Sequence, residues 1–192
     1  MNESRGGRSA FLYCYLPQLR YSLPLALRGE CYSMLIVGDV VEAEVTNVQV
    51  FGIFCRHRDE DLLVLIPETS WIASACSCQQ FAQSGDMLTV KILNIDPESG
   101  KIAATIKGRH PNPWETDKLN AGRRHTAQIV RYVEKSDRCH DQPAFLIELL
   151  PGAFAMLCHT QRSFKPGDHV EVIIRSSDPR KRAVEVTLAN AS

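Results

Sequence analysis

One stretch of this chain is written twice. Gly85-Asp86-Met87-Leu88-Thr89-Val90-Lys91-Ile92 returns 82 residues later as Gly167-Asp168-His169-Val170-Glu171-Val172-Ile173-Ile174. The same offset carries Asp96-Pro97 onto Asp178-Pro179 and the segment 102–106 onto 184–188, with Thr105 meeting Thr187. One offset shared by several separate segments is the mark of a supersecondary unit used twice. Upstream, Gly38 opens the first unit and Gly122 the second. From that Gly to the Gly-Asp pair is 47 residues in one unit and 45 in the other. Two small units therefore account for 192 residues better than one large domain.

Alternation makes the repeated segments strands. In the run 101–107, Ile102, Ala104 and Ile106 face one way and Lys101, Thr105 and Lys107 the other. Glu185-Val186-Thr187-Leu188 continues the same period in the second unit. Asp96-Pro97-Glu98-Ser99-Gly100 and Ser177-Asp178-Pro179-Arg180 supply turn chemistry before each unit's last strand. Short β-branched strands, Gly-Asp and Asp-Pro turns and little helix predict closed barrels. The expected form is all-β: two tandem five-stranded Greek-key barrels of the oligonucleotide-binding (OB) type, at 36–107 and 122–190. Between them, 108–121 carries Pro111, Pro113 and Trp114 with neither strand nor helix period, and reads as a linker. Trp114 is expected to pack at the domain junction rather than to stack on bases.

Residues 1–35 read as an irregular extension. The apolar stretch from Phe11 to Leu27 is broken by Pro17, Arg20 and Pro24, which makes a poor secretory signal. A transit peptide using Arg5, Arg8, Arg20 and Arg28 is the alternative, and Met34 stands just before the first strand. No run approaches 18 apolar residues, so no membrane-spanning helix is expected. Seven cysteines at irregular spacing, with Cys76 and Cys78 in a lone C-x-C, predict thiols in a reduced, cytoplasmic setting. A metal site joining Cys158-His159 to Cys76 and Cys78 is conceivable, but nothing in the spacing requires it.

Charge is balanced at 22 basic and 22 acidic residues, so no global field advertises nucleic acid. It is uneven along the chain. Segment 36–110 holds six basic against ten acidic residues, and 111–192 holds twelve against ten. A polyanion bound to the first unit must therefore rely on stacking and a few placed cations. Phe51-Gly52-Ile53-Phe54 offers the stacking. Gly52 permits a bulge or close backbone approach, so both rings reach one face. From Phe54 onward, period two places Phe54, Arg56 and Arg58 together. Rings beside cations are what a sequence-tolerant single-strand site needs. Packing of either Phe inside the barrel is the competing reading from the residues alone.

The order of pieces in the first unit resembles the S1 RNA-binding domain. The pieces are the Gly38-Asp39 opening strand, Phe51-Gly52-Ile53-Phe54, Leu62 to Ser70, Gly85-Asp86 to Lys91, and Asp96 to Lys107. Asn112-Pro113-Trp114 resembles the phrase that often follows such a repeat. The resemblance implies an RNA-binding surface on the aromatic strand, with a His on the third strand, an Asp near the end of the fourth and a basic residue opening the fifth. Phe51 and Phe54 match the aromatic positions, Asp96 the acidic one and Lys101 the basic one. Leu65 stands where the family has its His, and Leu62 where it has a Gly. Lys91 and Lys107 are further phosphate-contact candidates.

The second unit is a degenerate copy. Pro143-Ala144-Phe145-Leu146 is the nearest equivalent of the aromatic strand, and Gly152 to Leu157 reads as the third strand. The stretch to its Gly-Asp is much shorter. Arg123, Arg124, Arg131 and Arg180-Lys181-Arg182 could hold phosphates; packing or docking is the other role open to this unit. No catalytic motif is present: no Gly-x-Ser-x-Gly, His-Glu-x-x-His, phosphate-cradling loop or dinucleotide fingerprint. The expectation is a non-enzymatic, cofactor-free protein that binds single-stranded RNA in translation or RNA metabolism. The ribosome or an RNA-processing complex is the expected partner, and no small-molecule substrate is expected. The alternative is an S1-like docking module that has lost RNA binding.

Overall fold

A computed structural model describes residues 35–75, 77–158 and 163–189. The expected extension at 1–35 lies outside them, Leu35 excepted, as do Cys76 and His159 of the imagined metal site. Five strands, β1 (Val40–Val48), β2 (Gly52–His57), β3 (Glu60–Leu65), β4 (Met87–Ile95) and β5 (Ile102–Thr105), close into a barrel in the order β1-β2-β3-β5-β4. A second set, β6 (Arg124–Ser136), β7 (Gln142–Leu150), β8 (Ala153–Cys158), β9 (His169–Asp178) and β10 (Ala183–Leu188), closes in the same order. In both barrels the third and fifth strands run parallel and every other pair is antiparallel. The two-barrel all-β expectation is met.

The Gly-Asp pair recurs because it makes the same turn twice. Gly85 and Gly167 adopt φ of 89° and 92°, a region open to Gly at no steric cost. Gly85 N–H donates to Val45 O and Val45 N–H to Asp86 O, both at 2.8 Å; Gly167, Ile129 and Asp168 repeat these bonds at 2.8 Å. Each Asp closes its turn by accepting an N–H three residues back, Gln83 at 2.9 Å and Lys165 at 2.8 Å. Fourth strand and first strand are thereby locked in register in each unit.

Strand alternation fills both barrels: Ala43, Val45, Ile53, Cys55, Leu62, Val64, Val90, Ile92, Ile102 and Ala104 in the first, Ala127, Ile129, Phe145, Ile147, Ala155, Leu157, Val172 and Ile174 in the second. The first core does not stop at its barrel wall. Cys78, Phe81 and Ala82 from the β3–β4 loop continue it onto Val133, Cys139, Ala144, Leu146 and Met156 of the second barrel. Phe81 meets Phe154 edge-to-face with centroids 6.1 Å apart. Polar ties follow the same seam. Arg131 pairs with Asp86, Gln80 Nε2 donates to Asp137 Oδ2 at 3.1 Å, and Trp71 N–H donates to Gly152 O at 2.9 Å.

Segment 108–121 is a chain of short 3-10 turns, including Pro113–Glu115 and Asp117–Leu119. Asn112 and Thr116 cap them through their side-chain oxygens. Trp114 packs against the second core, and its Nε1–H donates to Trp71 O at 2.7 Å. The junction role expected for it is what the geometry gives.

The cysteine reading changes. Cys139 and Cys158 form a disulfide between the turn after β6 and the end of β8. Irregular spacing concealed the pair because only the fold brings the two residues together. Cys55 and Cys78 are free and buried, and burial pushes both thiols up to about 11, which keeps them protonated and unreactive. For a separation of 19 residues, a cross-link removes on the order of 3 kcal/mol of loop entropy from the unfolded chain. Reduction is therefore expected to lower the urea midpoint, read by far-UV circular dichroism with and without dithiothreitol. Equal midpoints would mean that the bond constrains nothing that packing does not already fix.

Candidate nucleic-acid interface

Phe51 and Phe54 come together on the outside of the first barrel. Their rings meet edge-to-face at 6.1 Å with an interplanar angle of 86°. Phe51 is 55% exposed and Phe54 half-buried, while Ile53 and Cys55 between and beyond them point into the core. Neither Phe fills the barrel. The close approach expected at Gly52 is present: a Cβ there would lie 2.8 Å from Leu63 Cδ1. Opposite Phe54 and Cys55, β1 carries an irregularity between Val45 and Asn47, which bends the sheet beside the aromatic pair. Val50 and Leu65 extend the apolar surface, 57% and 45% exposed. Leu65, at the resembled family's His position, faces Gly52 across the ladder, next to Phe51. The platform keeps apolar area there and lacks an imidazole donor.

The polar candidates divide. Phe54 stands opposite Leu63, and Leu63 opposite Ala103, so period two sets Lys101 on the same outward side; it is exposed. Asp96 holds the β4–β5 turn. Its carboxylate accepts from Glu98 N–H at 3.0 Å and from Ser99 Oγ, and its own N–H donates to Lys101 O at 2.9 Å. Those bonds, the Ser99 hydroxyl first, hold its carboxyl below the usual range, with Lys101 a smaller contributor. Asp96 thus positions Lys101. Arg56 lies on the platform side of β2 but pairs with Asp61 at 2.9 Å, both side chains being largely exposed. A phosphate would compete with Asp61 for it. Arg58, grouped with Arg56 by alternation, leaves the strand at φ 54° in the turn to β3.

Lys107 is buried and engaged rather than offered to solvent. It is 7% exposed, its Nζ donates to Pro67 O, pairs with Glu68 at 3.1 Å and lies 5.0 Å from the Trp71 ring centroid. Thr105, on the same strand face, is fully buried and donates to Glu68 O at 3.2 Å. Alternation separates these two residues from the core correctly, but segment 66–71 covers their face. Lys91 is half-buried on β4 between Val40 and Thr105.

The equivalent face of the second barrel is closed. Register places Pro143, Ala144, Phe145 and Leu146 where the first barrel has Phe51, Gly52, Ile53 and Phe54, and Met156 where it has Leu63. Ala144, Leu146 and Met156 are 1%, 1% and 6% exposed beneath Cys78, Phe81 and Ala82. The β3–β4 loop doing this spans residues 66–86, against 159–168 in the second unit. Unequal loop length was thus the sequence signal for the seam. The basic candidates of the second unit are partly used: Arg131 on Asp86, Arg123 on Asp117, and Lys181 on Asp178 at 3.8 Å.

Two closed barrels with this strand order define a tandem OB-type fold. Residues 35–107 match the S1 RNA binding domain family, so the first barrel is an S1 domain. The chain is 32% identical over 152 residues to small ribosomal subunit protein bS1 of Leuconostoc lactis, covering 78% of this chain and 33% of that one. It is 32% identical over 142 residues to small ribosomal subunit protein bS1 of Streptococcus pneumoniae, covering 73% and 33%. The chain spans about a third of the length of these curated relatives. Among solved structures, GSP13 from Bacillus subtilis is 30% identical over 41% of this chain and 62% of its own, with a TM-score of 0.37.

Proposed function

We propose that this protein binds single-stranded RNA in translation or RNA metabolism, stacking bases on Phe51 and Phe54 and holding phosphates with Lys101 and Arg56. The observation that carries the reading is the Phe51–Phe54 pair on the outer face of an S1 barrel, with Phe51 55% exposed and Phe54 half-buried beside it. An acidic first unit makes the binding depend on stacking more than on field, which suits recognition without strict sequence preference. The second barrel acts as a scaffold that presents the first, since its own equivalent face is buried. The partner in this reading is RNA on a ribosome or an RNA-processing assembly, in the cytoplasm. No helix among the described residues is long and apolar enough to cross a membrane.

Fluorescence-anisotropy titration of the full chain with labelled single-stranded RNA, at low and moderate salt, tests this. Saturable binding with a shallow salt slope, near −0.7 per phosphate neutralised for about two contacts, is expected. Absence of binding at low salt overturns the proposal and moves the function to protein docking.

A further inference from the structure

We propose that a groove on the second barrel holds backbone phosphates of the same RNA strand whose bases stack on Phe51 and Phe54. The inference rests on the RNA-binding reading and adds a contact from the barrel whose platform-equivalent face is covered. The groove lies over the outer side of β8, β10 and β9 and holds about 520 Å³, within the size range of ligand sites. Strand pairing shows which side chains share that side. Leu157 and Val186 pair and belong to the core, so Met156 and Cys158 on β8 and Glu185 and Thr187 on β10 leave the barrel. On β9, Ile174 pairs with Val186 and Ser176 with Glu185, which leaves Arg175 as the extra residue of a bulge. A bulge re-aims such a side chain out of the regular ladder. The first barrel has Leu93 at the same bulge, 82 residues earlier, so the cation is particular to the second.

The other cations come from the turn after β6. Cys139 is bonded to Cys158, which sets its neighbours Arg138 and His140 at the end of β8, and both line the groove with Arg175. The covalent tie presents them at a lower ordering cost than a free loop would. Neither Arg138 nor Arg175 has an ion pair among the described residues. Against them the groove sets one carboxylate, Glu185. Guanidinium forks match phosphate oxygens in geometry as well as charge, and the Thr187 hydroxyl adds a donor. No Phe, Tyr or Trp lines the groove, which suits it to the RNA backbone rather than to a stacked base. The platform is within reach. Ala73, at the groove's edge, donates its N–H to Arg182 O at 2.8 Å, and Cys78 N–H donates to Val50 O, beside Phe51, at 2.9 Å. The five residue steps from Ala73 to Cys78 span at most about 18 Å, a gap that a few nucleotides bridge.

Anisotropy titration at several salt concentrations, with a labelled tetranucleotide and a labelled decanucleotide of unstructured RNA, separates the groove from the platform. The proteins are the full chain and its Arg138→Gln, Arg175→Gln, double and Lys118→Gln variants. Lys118→Gln removes the same charge at the other end of β6, beside His125. The wild type is expected to bind the decamer at least about tenfold more tightly than the tetramer, with a salt slope steeper by about 1.4 for two further phosphates. Each Arg→Gln change should take about 0.7 off the decamer slope, and the double variant should bring it down to the tetramer's. Tetramer affinity should hold within twofold in every variant, which also certifies that they fold, and Lys118→Gln should match the wild type with both probes. An unchanged decamer slope in the double variant, or an equal loss in Lys118→Gln, overturns the groove and leaves the platform standing. A tetramer weakened as much as the decamer overturns it too, since groove and platform would then be one site. Absence of binding of either RNA to the wild type overturns the RNA reading itself.

Discussion

Phe54→Ala is expected to weaken single-stranded RNA binding by about fivefold to a hundredfold, the scale of one lost base stack. Phe51→Ala should fall in the same range. The double variant should lose less than the product, because the rings touch at 6.1 Å and either truncation strips the other of its edge partner. Neither change should unfold the barrel, since Phe51 is 55% exposed and the inward residues of β2 are Ile53 and Cys55. Circular dichroism on each variant checks that point, and anisotropy titration reads the affinity. Lys101→Ala should act differently, reducing the salt slope by about 0.7 while leaving stacking intact. If both Phe variants bind as the wild type does, the platform is wrong, whatever else on the chain holds RNA.

Much of the fold is legible along the chain because local rules dictate it. Gly85-Asp86 and Gly167-Asp168 stand out because a positive φ followed by a turn-closing carboxylate leaves few residue choices. Alternation places Ile102, Ala104 and Ile106 inward because a half-buried strand repeats every two residues. Lys107 shows where such rules end: period two says which face it takes, but not that Glu68 and Trp71, far away in sequence, close over that face. Arg131 meets the same limit. A basic residue on an early strand looks like a phosphate contact until Asp86 of the other barrel arrives beside it. Asp96 is legible in position, and the bonds it makes in the turn before Lys101 are those expected of an Asp-Pro turn. The Cys139–Cys158 bond needs two segments brought together by the fold, and no spacing along the chain announces it.

Phe81→Ala is expected to be the most destabilising single truncation at the seam, costing about 3–5 kcal/mol. Phe81 is 9% exposed, stacks edge-on against Phe154 and belongs to the cluster that runs from the first core onto Leu146 and Met156. Its loss opens a cavity that neither barrel can collapse alone, because the surrounding residues are held by strands of two closed sheets. The chain reports on this itself. Its two tryptophans, Trp71 and Trp114, are bonded to each other and packed on the second core. Their fluorescence follows the seam, while far-UV circular dichroism follows the strands of both barrels. In the wild type the two urea transitions should coincide, as a shared core requires. In Phe81→Ala the fluorescence midpoint should drop by roughly 1.5–2.5 M, given slopes near 2 kcal/mol per molar urea. Separate transitions in the wild type, or an unmoved midpoint in the variant, would mean that the barrels are independent. The second would then not be the scaffold that fixes the first.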